Sequence, residues 1–280
     1  MKSKHIIFFW LALAISLSAF AQTKTKLYGD VYTKAHPAEE FSIKSKFAKD
    51  REYKMYVTYA IDSLVAGKKY PVLFYTDGWY AVDFFNVMSG WLRVPKVIEP
   101  VILVGISFEA NDDTWLNVRG NDFLPNINNP DTANGAKNFL SFIKQELIPY
   151  VEKNYPVDST DRGLYGYSYG GLFATWVLRE EPLLFKRMGI GSPSLWYQKF
   201  ALLKDKQLLD NIKNANNLKV FVEYGTSESE TQKSGAEQLF ELFNANKNIQ
   251  STKFILDGAH FSAYPATCMK ALSYLYEKQK

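Results

Sequence analysis

The segment Gly163-Leu164-Tyr165-Gly166-Tyr167-Ser168-Tyr169-Gly170-Gly171-Leu172 decides how this chain is read. A short apolar strand runs into G-x-S-x-G and on into residues spaced as a helix, the arrangement of a nucleophile elbow. A serine on so sharp a strand-to-helix turn crowds the residues two before and two after it, and Gly166 and Gly170 stand at those positions. Gly171 adds a third small residue, which lets the helix start pack against the neighbouring strand and aim its free N–H groups near Ser168. The alternative is a glycine-rich turn carrying an inert hydroxyl. Context opposes it, because Leu172, Phe173, Trp176 and Val177 recur at helical spacing directly after the motif.

Away from the elbow, short apolar runs alternate with helix-length segments. The runs at 72–75, 101–106, 164–165, 188–190, 220–222 and 254–256 read as strands buried on both faces, which implies a mostly parallel central sheet. Before them, 41–45 and 52–59 have strand character, with Tyr53, Met55, Val57 and Tyr59 alternating against polar or small neighbours, so antiparallel edge strands are expected there. Helices on both faces are expected at 80–91, 136–152, 169–178, 199–213, 231–246 and 265–278. The stretch 109–133, rich in Asn, Asp and Pro, reads as a long loop bordering the site.

Composition narrows the class. Residues 1–21 read as an export signal: Lys2 and Lys4 supply the positive start, 6–17 the apolar stretch, and Ala19-Phe20-Ala21 a small-x-small cleavage site before Gln22. Removing them leaves 22–280 as a single domain, takes away two lysines and no acid, and lowers the formal charge from +4 to +2. That balance suggests no nucleic-acid partner, and no later apolar run suggests an integral membrane segment. Cys268 is the one cysteine, so no internal disulfide is possible and a buried apolar role is expected for it.

A serine hydroxyl is a weak nucleophile, so Ser168 needs an imidazole to take its proton and a carboxylate to orient that imidazole. After the leader the chain holds His36, ahead of the sheet, and His260, in the loop after the last apolar run. With an elbow the partners follow in the order serine, acid, histidine, which favours His260 as base. The acid belongs on the loop after the 218–225 strand, where Gly225 turns the chain and Glu228 follows, with Glu230 and Glu223 as alternatives and a serine–histidine dyad as another. Oxyanion donors are expected from the N–H of Tyr169, next to the nucleophile, and from Trp79, after Asp77-Gly78 at the end of the 72–75 strand.

Together these residues resemble the esterase D-like branch of the α/β-hydrolases, which includes siderophore (enterobactin and salmochelin) esterases, feruloyl and other carbohydrate esterases, and mycolyltransferases. Besides the elbow, the resemblance rests on the stretch from Pro71 to Gly78, on Arg119-Gly120-Asn121-Asp122-Phe123-Leu124-Pro125, and on Glu146-Leu147-Ile148-Pro149 with Tyr155-Pro156. It continues through Ser192-Pro193-Ser194-Leu195-Trp196-Tyr197 to Gly258-Ala259-His260-Phe261. It implies an α/β-hydrolase fold and a secreted or periplasmic serine carboxylesterase working through an acyl-serine, with no metal or organic cofactor. By the same resemblance Ser168 is the nucleophile, His260 the base, Glu228 the acid, and Trp79 and Tyr169 the oxyanion donors.

The substrate implied is a small-molecule or carbohydrate ester: a siderophore, a feruloyl or acetyl carbohydrate, or similar. Arg119 is a candidate for holding an anionic or catechol-like group, with pairing to Asp122 as its structural alternative. Trp115 and Trp196 are candidate cleft walls, along with Trp79, Tyr80 and Tyr264. Trp79 departs from relatives that carry a longer polar side chain there, which makes the adjoining pocket more apolar. Rival readings are an acyltransferase using the same residues and a non-catalytic binding protein on a hydrolase scaffold.

Overall fold

A computed structural model of the chain describes residues 39–61, 64–108, 114–129 and 135–278; the expected leader at 1–21 and His36 lie outside them. In chain order the elements are β1 (Glu39–Lys44), β2 (Glu52–Ala60), β3 (Tyr70–Tyr75), α1 (Gly78–Arg93), β4 (Val101–Phe108), α2 (Trp115–Phe123), α3 (Gly135–Phe142) and α4 (Ile148–Asn154). There follow β5 (Val157–Tyr167), α5 (Tyr169–Glu180), β6 (Arg187–Gly191), α6 (Lys206–Asn214), β7 (Leu218–Gly225), α7 (Glu230–Ala245), β8 (Ile249–Leu256) and α8 (Tyr264–Leu275).

The described strands form one sheet in the order β1-β2-β4-β3-β5-β6-β7-β8. β2 is antiparallel to both β1 and β4, and every pairing from β4 through β3 to β8 is parallel. This is the α/β-hydrolase arrangement, with antiparallel strands at the N-terminal edge. Alternation in β2 sends Tyr53, Met55 and Val57 into the core, whereas all eight residues of β4 are buried because helices cover both of its faces.

On one face, Phe85 of α1 and Leu272 and Leu275 of α8 pack with Tyr165 and Phe221. On the other, Phe139, Leu147, Phe173 and Leu239 belong to a larger core built from α3 to α7. Cys268 is buried in the first of these cores. No described helix is long and apolar enough to cross a membrane.

Three expectations change. The 109–133 stretch is not wholly loop, because 115–123 forms α2, with Val118, Arg119, Asp122 and Phe123 turned inward. The expected 136–152 helix carries a π turn at Ile143–Leu147, where Ile148 N–H reaches back to Ile143 O. Pro149 has no N–H to offer the regular ladder, and the wider turn falls just ahead of it. The expected 199–213 helix begins only at Lys206: Gln198, Lys199 and Phe200 have positive φ, and Asp205 caps α6 by accepting from Leu208 N–H at 2.9 Å.

Parallel strands end on a common edge. There β3 delivers Asp77, β5 Ser168, β6 Ser192, β7 Glu228 and β8 His260, so residues up to 183 positions apart in sequence share one rim.

Candidate active site

Ser168 sits between β5 and α5 at φ 59°, ψ −117°, a backbone conformation rare for a residue with a Cβ and costing about 1–3 kcal/mol. Its neighbours hold it there. Ser168 N–H donates to Gly191 O at 3.0 Å, and Ser168 O accepts from both Leu172 N–H and Ser194 N–H, each at 3.0 Å. A Cβ on Gly166 would overlap Gly170 O, and one on Gly170 would overlap the Thr76 hydroxyl. The two glycines therefore answer different crowding, one inside the elbow and one against the end of β3.

His260 Nδ1 lies 3.3 Å from Glu228 Oε2. Of the three carboxylates open to the sequence, Glu228 is the one that reaches the imidazole. Glu230 begins α7 on the surface and pairs with Lys233, and Glu223 is fully buried under the site. Burial pushes Glu228 upward, but hydrogen bonds from His260, Ser192 and Gly225 N–H outweigh it and hold the carboxyl below its ordinary value. The Tyr167 hydroxyl donates to His260 O and pins the loop from beneath.

Two serines that the sequence reading quoted without a role complete the cluster. Ser194 Oγ is 3.4 Å from Ser168 Oγ, so in this structure the nucleophile candidate faces Ser194 and makes no hydrogen bond to His260. Ser192 Oγ donates to Glu228 Oε2 and lies 3.1 Å from His260 Nδ1. Gln232 of α7, also missed, donates to Ser192 O at 2.6 Å and accepts from Trp196 Nε1 at 2.7 Å. No sequence pattern signals these contacts, since they join the ends of separate strands.

Trp79 and Tyr169 lie in the first turns of α1 and α5, where backbone N–H groups lack helical partners, and both line the same cleft as Ser168. Asp77 precedes α1 at φ 58°, and its carbonyl accepts from Tyr80 and Ala81 N–H. Arg119 pairs with this Asp77, not with Asp122; Asp122 instead accepts from the Tyr53 hydroxyl at 2.9 Å. Burial works against the Arg119 charge, but Asp77 more than offsets it and the guanidinium is held charged. The Arg119 guanidinium also lies 5.3 Å from the Trp115 ring centroid and 5.5 Å from that of Tyr169.

The cleft encloses about 800 Å³ and brings together Ser168, His260, Glu228, Trp79, Tyr80, Tyr169, Arg119, Trp115 and Trp196 of the residues expected there. Its walls are aromatic. Trp79 stands edge-on to Trp115 with centroids 6.1 Å apart, Tyr169 faces Trp196 at 6.5 Å, and Phe261 is exposed at the mouth. Tyr264, expected at the same rim, is buried behind it against Tyr167 and does not line the cleft.

A family model described as putative esterase matches residues 47–269. Ferri-bacillibactin esterase BesA of Bacillus subtilis is 27% identical over 231 residues, 73% of this chain and 78% of that protein. Apo-salmochelin esterase of Escherichia coli is 28% identical over 138 residues, 45% of this chain and 42% of that protein. Among solved structures, the BES protein from Bacillus cereus superposes with a TM-score of 0.77 at 26% identity, covering 90% of this chain and 99% of that one.

Proposed function

The chain belongs to the Esterase family, serine hydrolases acting on ester bonds, and from that premise we propose that its reaction runs through an acyl-enzyme on Ser168. Ser168 Oγ attacks the ester carbonyl while His260 Nε2 takes its proton, and Glu228 stabilises the imidazolium. The oxyanion is received by the N–H groups of Tyr169 and Trp79. Collapse expels the alcohol, protonated by His260, and water repeats the sequence to free the acid. The observation that carries this reading is the 3.3 Å approach of Glu228 to His260 Nδ1 in the cleft where Ser168 opens. Attack requires the hydroxyl to swing from Ser194 to the imidazole, a tightening common between free and substrate-bound sites.

The aromatic lining supports an ester whose acyl group carries no charge beside the reacting bond. Among the described lining residues, the cation Arg119 is already engaged twice by Asp77, and the carboxylate Glu228 is engaged by His260. An anionic acyl group would lose its hydration there without gaining a free partner. The named substrates of the relatives, bacillibactin and salmochelin, support the siderophore class. Export is part of the proposal, supported by Lys2, Lys4 and Ala19-Phe20-Ala21; protein recovered outside the cytoplasm should begin at Gln22.

A fluorophosphonate should label Ser168 and abolish hydrolysis of nitrophenyl esters, and Ser168→Ala should abolish both. Between matched esters, kcat/KM should favour a benzoyl over a succinyl acyl group by about tenfold or more. Full activity in Ser168→Ala would overturn the acyl-serine route, and preference for the succinyl ester would overturn the substrate class.

A further inference from the structure

Ser192 follows the last residue of β6, is fully buried and has φ 35°. Its one hydroxyl proton goes to Glu228 Oε2. Its oxygen accepts from Gln232 Nε2 at 3.2 Å and faces His260 Nδ1 at 3.1 Å. A hydroxyl has one proton to give, and Glu228 takes it, so toward Nδ1 the Ser192 oxygen can only accept. His260 Nδ1 thus meets two acceptors, Ser192 Oγ and Glu228 Oε2, and must itself carry a proton. Nε2 is left with the lone pair, the form required to take a proton from a serine.

Gln232 gives both of its amide hydrogens to the same residue. Its amide nitrogen gives one hydrogen to Ser192 O and the other to Ser192 Oγ, and its oxygen accepts from Trp196 Nε1. Trp196 lines the cleft, whereas Ser192 does not. A continuous chain of hydrogen bonds therefore runs from the cleft wall to the acid and base.

We propose that Ser192 is a positioning residue: the hydrogen bond it gives Glu228 Oε2 sets the carboxylate against the protonated Nδ1 of His260, while Gln232 anchors it to the Trp196 wall. This rests on the Ser168, His260 and Glu228 reading above. The other titratable groups facing this pair are Tyr167 from β5, Glu223 from β7 and, behind Tyr167, Tyr264 from α8. None of them hydrogen-bonds Nδ1; the Tyr167 hydroxyl donates to His260 O and also lies within hydrogen-bonding reach of the Ser192 side chain.

The test is a double-mutant cycle on nitrophenyl ester hydrolysis. Ser192→Ala should lower kcat about tenfold with KM changed less than about twofold, the effect of losing one charge-assisted hydrogen bond. In a Glu228→Gln background the same substitution should lower kcat by less than about twofold, because the carboxylate it positions is gone. The downfield Nδ1 proton resonance of His260 should shift or broaden in Ser192→Ala. An equal loss in both backgrounds, or no loss in either, would overturn the proposal.

If Ser192→Ala does not fold, by its circular dichroism melt, Gln232→Leu decides. It removes the anchor from outside the acid–base pair and should show a smaller kcat loss that also vanishes with Glu228→Gln; a loss that persists there overturns the proposal. Activity retained by Ser168→Ala would instead overturn the reading beneath it, so the two failures are distinguishable.

Discussion

Arg119 grips Asp77 through two parallel hydrogen bonds, Nε to Oδ1 at 2.5 Å and an Nη to Oδ2 at 2.8 Å, with both side chains buried. Asp77 is the left-handed residue that launches α1, and the amide of Trp79 comes two residues later. The pair thus braces the turn that carries the Trp79 amide, which gives the buried arginine a structural role.

Replacing Arg119 by Met should leave the Asp77 charge buried and unpaired and destabilise the fold by about 3–5 kcal/mol. Arg119→Lys keeps the charge but loses the planar fork. It should fold and lower kcat by about tenfold through a misplaced Trp79 N–H. Urea melts and steady-state kinetics check the two effects, and a lysine variant with unchanged kcat would remove the brace from the mechanism.

Strain at the elbow predicts a trade between stability and activity. Ser168→Gly relieves the φ 59°, ψ −117° conformation and should raise unfolding free energy by about 1 kcal/mol while abolishing hydrolysis. Gly166→Ala should act in the opposite direction, losing about 2–3 kcal/mol as its Cβ meets Gly170 O. Thermal melts of both variants beside the parent decide the matter.

Glu223 predicts how stability follows pH. Burial pushes its carboxyl up to about 8, against a lowering contribution from Thr267 and with Glu228 adding to the rise. Between its ordinary value of 4.5 and about 8 the native state keeps a proton that the unfolded chain releases. Stability should therefore fall as pH rises through that window, by up to about 1.4 kcal/mol per pH unit from this group. Glu223→Gln removes the linkage, so its melting temperature should gain on the parent between pH 5 and pH 8. A constant difference across that range would count against a protonated Glu223.

The elbow was legible because its constraint is local: Gly166, Ser168 and Gly170 must satisfy backbone sterics within five residues. The apolar runs were legible for a similar reason, since a strand covered on both faces has to be apolar along its length, as β4 is. Periodicity failed where an element owes its form to what it packs against. α2 is short and mixed in character and holds together around Arg119 and Phe123, which contact the site and the core. The π turn ahead of Pro149 changes hydrogen bonding without changing the apolar stripe, so the stripe alone could not announce it.

From sequence alone, this protein's central parallel sheet, its elbow serine and the loops that carry the histidine and the candidate acids were already determined, because each depends on neighbours a few residues away. Tertiary structure decided which carboxylate meets His260, that Arg119 pairs with Asp77, and that Ser192 and Gln232 stand behind Glu228 and His260. Those pairings depend on which strands lie side by side and on spacings of a few ångströms across the sheet, and no pattern along a single chain records lateral distance.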